Sequence, residues 1–334
     1  MMSISPFSTL AESISPSVIQ GFVLAMLALI VIGTVVQMIH HKNVTYFFNN
    51  AKKAKLAAER ELGVGEKTSV ILKTVVHDIA TTAELGAGKR RIAHVMGMYG
   101  TILFWVASVV LVFGYTGTGT AAPTVWPMIW HVGAIMTCVG GYWFWLFLRV
   151  DVLAEAHPWY RIIKADLFVL ALLACATTGL AWSYFQSSGS TTPTIWPMIW
   201  HVGAIMTCVG GYWFWLFLRV DVLAEAHPWY RIIKADLFVL ALLACATTGL
   251  AWSYFQSSGS TGLGYLFLVL FITSNIVLFG GVYWSKFAHM IYKPGAAIQK
   301  NLAEADGSRD NLPPLADAPK QFGLGIKREQ PKHY

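Results

Sequence analysis

Charge is scarce in this chain: Asp, Glu, Lys and Arg make up 12% of its 334 residues, while hydrophobic residues make up 56%. So little charge excludes an ordinary water-facing surface, and several charge-free runs approach the roughly 20 residues that span hydrocarbon. Cysteine is scarce too. Cys138, Cys175, Cys208 and Cys245 each lie within an apolar run, as small inert hydrophobes would, and no Cys-x-x-Cys spacing is present to hold an iron–sulfur cluster in the usual way. No glycine-rich dinucleotide or phosphate loop occurs. The opening residues have no basic stretch or clear small-residue cleavage site before the first apolar run, so a cleaved signal peptide is not expected. Lys and Arg are wholly missing from residues 1–16, 116–125, 186–195 and 256–263.

What is present are seven apolar runs, at 17–39, 92–115, 126–148, 167–185, 196–218, 237–255 and 264–285. Helices are expected rather than barrel strands, because ten-residue alternation is lacking and backbone groups in lipid must be paired internally. The 24 basic residues all fall on one side of these runs: ten within 42–91, three in each of the loops 149–164 and 219–234, and eight from 286 onward. Basic loops stay in the cytoplasm, so the N-terminus is expected outside and the C-terminus inside.

Residues 126–191 recur letter for letter as 196–261, a 66-residue block displaced by 70. Old repeats drift apart while keeping their packing pattern, so identity points to a recent duplication or to an error in assembling the sequence. Each copy holds two apolar runs, and inserting an even number of crossings leaves everything downstream on its original side. The expected architecture is an all-α integral membrane protein: a bundle of five core transmembrane helices plus a duplicated two-helix unit, seven as written. Its segments are the outer N-terminus and first helix (1–41), a cytoplasmic basic loop (42–91), the second helix (92–125), the two repeat copies (126–195 and 196–262), the last helix (263–293) and a cytoplasmic tail (294–334).

Within 42–91, the stretches NAKKAKLAAEREL and KTSVILKTVVHDIATTAEL predict two short helices on the membrane surface. The loop has ten basic residues against five acidic ones, and Lys52, Lys53, Lys55 and Arg60 are candidates for docking an acidic soluble partner. Attraction to anionic lipid is the competing explanation. The tail after Pro294, with DNLPPLADAP, reads as extended and without a core of its own.

Ten histidines are the main candidates for chemistry. His94 follows Arg91 by three residues at the cytoplasmic start of the second helix, and His289 precedes Lys293 by four near the cytoplasmic end of the last. Neutral imidazoles at matched depth on facing helices can supply both axial ligands of a haem. Gly97, Met98, Gly100 and Thr101 would let a flat macrocycle or another helix approach. Lys286, one turn deeper than His289, would meet a haem propionate or a quinone oxygen; the plain alternative is that it snorkels and that both histidines are interfacial. His131 and His201 sit in WPMIWHVG near the outer surface, as interface residues or, less simply, as ligands or quinone contacts. His40, His41, His77, His157 and His227 read as surface or loop residues, and Asp166 and Asp236 as charges complementing a helix N-terminus.

GKRRIAHVMGMYG at 88–100, YWSKFAHMIYKPG at 283–295 and DLFVLALLACATTGLAW at 166–182 resemble helix ends in haem b membrane subunits related to the respiratory nitrate reductase gamma subunit. That group includes membrane subunits of heterodisulfide reductases and of sulfur-metabolism complexes. The resemblance implies five helices and a bis-histidine haem b on the cytoplasmic side held by His94 and His289, with Lys286 and Arg91 at the cofactor. Members of the group with two haems carry further histidines in the inner stretch of the second helix and the outer half of the last; here those stretches have none, so one haem is the simpler expectation. It further implies a multi-pass protein of the bacterial inner membrane that exchanges electrons between membrane quinone and cytoplasmic flavin or iron–sulfur oxidoreductase subunits, adenylylsulfate reductase being one such enzyme. Such a subunit supplies ligation and orientation rather than catalysis. No nucleic-acid partner is expected. A haem-free anchor is the first alternative. A transporter is the second, disfavoured because transporter repeats are diverged and carry polar breaks at midplane.

Overall fold

The computed structural model describes residues 4–308 apart from 9, 41, 87, 118–120, 154, 188–194, 224, 234–235, 282 and 284–287. The described residues form helices joined by turns and irregular segments, with a single isolated β-bridge between Ile4 and Ala121. Ten helices of eight residues or more occur among them: α1 (Pro16–His40), α2 (Asn43–Leu56), α3 (Val64–Lys73, prolonged by a π-turn over Thr74–Ala80), α4 (Lys89–Gly114), α5 (Val125–Phe147), α6 (Asp166–Ser187), α7 (Trp196–Trp213, prolonged by a π-turn over Phe214–Leu218), α8 (Asp236–Ser257), α9 (Thr261–Gly280) and α10 (His289–Ala305). Six of these, α1, α4, α6, α7, α8 and α9, are long and apolar enough to cross a membrane. The chain packs as two units, one formed by Met1–Gly33 and Ile92–Lys286, the other by Thr34–Arg91 and Phe287–Tyr334.

In the first unit successive helices lie side by side, and small residues set how closely. A Cβ on Gly100 of α4 would fall 2.6 Å from the Thr137 backbone nitrogen of α5, and one on Gly133 of α5 would fall 2.5 Å from the Phe104 nitrogen of α4. Glycine lets these backbones touch, which is the packing mode open to helices that gain nothing from burying apolar surface in lipid. The equivalent of Gly133 in the second copy, Gly203, faces Cys175 of α6 at 3.2 Å. One helix face therefore receives α4 in the first copy and α6 in the second.

The outgoing faces match as well. In α6, Gly179 and Trp182 pack on Trp200 of α7, and Phe185 stacks on Trp196. In α8 the identical residues Gly249 and Trp252 pack on Phe271 of α9, and Phe255 stacks on Phe267. α9 then meets α4 through Trp105 and Phe279 and α1 through Leu29 and Gly280.

Because α7 and α9 serve as alternative receivers of one face, removing residues 192–261 should let α6 dock on α9 as α8 does. The deletion takes out two helices of crossing length, so the C-terminus should stay on the side it occupies in the full chain. A C-terminal topology reporter checks this, and a reporter that changes sides would refute it.

Identical sequence does not give identical structure everywhere. Trp143–Arg149 and Trp213–Arg219 share every letter, yet α5 ends as an α-helix while α7 ends in a π-turn. Phe214 stacks on Phe168 of the preceding copy at 5.9 Å, whereas Phe144 is 51% exposed. The neighbour available only to the second copy accompanies the register change, a tertiary override of local preference.

The second unit joins α2, α3 and α10. Asn301 donates to Thr74 Oγ1 (2.9 Å) and to Asp78 Oδ2 (2.6 Å), pinning α10 to the π-turn. Gln299 donates to the Phe47 carbonyl of α2 at 3.3 Å. Arg60 Nε donates to the Ala305 carbonyl at 3.0 Å, and its Nη2 pairs with Glu66 at 2.6 Å.

Two expectations change here. The last apolar helix stops at Gly280 instead of running to residue 293, since the Gly280–Gly281 pair favours termination and the Gly281 amide closes on the Val277 carbonyl at 2.9 Å. A separate helix follows, so the chain just after Pro294 is helical and packed; Pro294 is accommodated in its second turn. The stretch from 309 onward lies outside the described residues.

Candidate functional site

His94 stands in the second turn of α4 and is exposed. The 3.6-residue period puts Met98, Thr101 and Trp105 on its face, and Trp105 leads to α9 through Phe279, with ring centroids 6.5 Å apart. A Cβ on Gly97 would meet open space, while the Gly97 nitrogen and Ala93 carbonyl of the same turn back onto Gly140 of α5, so the room for a flat group lies only on the side to which that Cβ would point. Arg91, one turn earlier, donates from Nε to the Thr81 carbonyl at 2.8 Å and fastens the end of the basic loop to the start of α4. His289 is the first residue of α10, exposed, and belongs to the other unit. Lys286 lies outside the described residues. Among the described residues no group of three or more His, Cys, Asp or Glu could hold a metal ion. A bis-histidine haem asks for only two such ligands.

The most organised polar arrangement joins residues that stand in the sequence as separate interface residues and helix caps. Three rungs tie α5 to α6, and the same three tie α7 to α8. At one end, Arg149 Nη1 pairs with Asp166 Oδ2 at 2.5 Å while its Nη2 donates to the carbonyls of Trp159 (2.9 Å) and Arg161. Both side chains are buried, and the guanidinium lies 4.4 Å from the Trp145 ring centroid. The Ile163 amide donates to the same Asp166 oxygen at 2.9 Å. Arg219, Asp236, Trp229, Arg231, Ile233 and Trp215 repeat this arrangement.

Midway, the Tyr142 and Thr177 hydroxyls meet at 3.0 Å, as do those of Tyr212 and Thr247. At the far end His131 Nδ1 lies 2.7 Å from the Pro127 carbonyl and Nε2 lies 3.3 Å from Ser183 Oγ. His201 does the same with Pro197 (2.6 Å) and Ser253 (2.8 Å). A carbonyl only accepts, so Nδ1 carries the proton and Nε2 accepts from the serine. With both nitrogens engaged inside the hairpin, these two histidines act as struts. Asp166 and Asp236 do open their helices as expected, but each is also the anion of a buried pair. The signal that could have found this is the 17-residue spacing of Arg and Asp around HPWYR, present in both copies.

Outside the membrane helices, burial pushes the Asp78 carboxyl up, but hydrogen bonds from His77 and Asn301 outweigh it and hold the group below its ordinary value of 3.8. A depressed folded value means that this contribution to stability is complete above the unfolded value and is lost as pH falls through the folded one. The α10 attachment should therefore loosen below about pH 4, and Asp78→Asn should flatten that dependence. Proteolysis of the 289–305 segment across pH, normalised to protease activity, measures it; equal acid sensitivity in the variant would refute it.

No protein-family model, no curated protein and no solved structure matches this chain.

Proposed function

We propose that the chain is a haem b electron-transfer and membrane-anchor subunit that links membrane quinone to a cytoplasmic oxidoreductase. The observation that carries this reading is the exposed His94 beside the open turn at Gly97, on the face of α4 that leads to the last bundle helix. The open turn fits a flat macrocycle. His94 and His289 would hold the iron, with Lys286 and the terminal nitrogens of Arg91 as counter-charges to its propionates. The haem supplies one-electron storage. Around it, Arg91 orients the start of α4 through Thr81, and the glycine contacts of α4 with α5 fix the helix that carries His94.

In this reading α5, the apolar partner of α6, is the seventh crossing, the N-terminus is outside and the basic loop and tail are cytoplasmic. The membrane is the bacterial inner membrane. Lys52, Lys53 and Lys55, all exposed, form the docking face for flavin or iron–sulfur subunits such as those of an adenylylsulfate reductase. Arg60, also exposed, belongs to that face and is oriented by its bonds to Glu66 and Ala305.

The purified chain is expected to show the visible spectrum of one low-spin haem b, and His94→Ala or His289→Ala should abolish it. His131→Ala should keep the band. A haem-free chain would leave the structural-anchor reading, and an unchanged spectrum in either ligand variant would refute the ligand pair.

A further inference from the structure

The segments that join α5 to α6 and α7 to α8 are held in one conformation by buried side chains. Arg149 and Arg219 reach back to take the carbonyls of Trp159 and Arg161 and of Trp229 and Arg231, while Asp166 and Asp236 neutralise them. Both segments pass through a positive-φ alanine, Ala156 (57°) and Ala226 (55°). Such a backbone is strained for alanine, and both copies adopt it.

This rigid backbone turns apolar rings outward. Trp159 is 54% exposed, Tyr160 67% and Ile162 60%; Trp229, Tyr230 and Ile232 repeat these values within one percentage point. Arg161 and Lys164 are exposed beside them, and the acidic Glu155 turns to His157 at 3.7 Å. Each segment runs from the end of one long apolar helix to the start of the next, so it stands at the level where hydrocarbon gives way to headgroups. Two helices of crossing length, α6 and α7, separate the segments, so both lie on the same side. Exposed Trp and Tyr at that depth with cations next to them match the aromatic belt and anionic headgroups of a lipid leaflet.

We propose that each repeat carries a preformed binding surface for anionic phospholipid headgroups, made in the first copy by Trp159, Tyr160, Ile162, Arg161 and Lys164. The rings enter the headgroup boundary, and the two cations meet the phosphates. Duplication doubles this surface on one side of the membrane.

The test uses the full chain in neutral detergent, equilibrated with equal amounts of phosphatidylglycerol and phosphatidylcholine, with retained lipids counted by native mass spectrometry. Phosphatidylglycerol should be preferred. The variant Arg161→Gln/Lys164→Gln/Arg231→Gln should lose that preference by about fivefold per cation removed, with phosphatidylcholine retention unchanged. Trp159→Ser/Trp229→Ser should lower retention of both lipids alike. Should the charge variant misfold, raising the ionic strength over the unchanged chain gives the same reading, because screening should shrink the preference. A preference indifferent to both salt and these cations overturns the proposal. So does loss of a bound soluble protein in the charge variant while its phosphatidylglycerol count holds.

Discussion

Gly133→Ala should destabilise the bundle far more than Gly203→Ala, although the two glycines sit in identical sequence. The added Cβ at position 133 would lie 2.5 Å from the Phe104 nitrogen and 2.7 Å from the Gly100 carbonyl, both backbone atoms that cannot move aside without shifting a helix. At position 203 the nearest atoms, also backbone atoms of Cys175, are 3.2 Å away, so a helix shift of a few tenths of an ångström suffices. Overpacking of the first kind costs about 1–3 kcal/mol. The second should cost a fraction of that. Gly21→Ala, where nothing lies within 4 Å, serves as a near-neutral reference. Unfolding in mixed micelles with increasing denaturing detergent measures all three, and equal losses at 133 and 203 would show that the two copies do not pack as described.

The opposite expectation holds for the buried ion pairs. Asp166→Leu should leave Arg149 buried without its anion, at a cost of about 3–5 kcal/mol, whereas Arg149→Leu/Asp166→Leu should recover much of the loss. Asp236→Leu and its double variant should give the same pair of values, because the network around Arg219 duplicates that around Arg149. A double-mutant cycle in each copy measures the coupling. Coupling near zero would reduce these contacts to incidental surface pairs. Packing between repeats is thus expected to differ from copy to copy, and bonding within a repeat to be constant.

The helices were legible because their code is local: α1 and α4 follow apolar runs whose ends sit within a few residues of the expected ones. The break before His289 was not, because the chain stays apolar through Val282 and Trp284 and only the glycine pair marks the stop. The rungs were invisible for a different reason. Nothing in the residues around His131 announces a serine 52 positions on, and Tyr142 and Thr177 are unremarkable lipid-compatible residues until α5 and α6 are set side by side. His94 is legible as a residue near a helix start, and it stands in the second turn of α4; His289, expected at the end of the last apolar helix, instead begins another one.

The three rungs also bear on how the chain is made. Every partner in them lies within one hairpin, at sequence separations of 17, 35 and 52. During synthesis Arg149 emerges 17 residues before Asp166, and once Ser183 has followed, every bond of the hairpin has both of its partners. Contacts this local form quickly and need nothing from the rest of the chain. A segment that completes its own bonding before the next one arrives can be copied whole without creating a competing partner, and the block repeated at 196–261 contains one such hairpin entire, from Trp196 to Ser257.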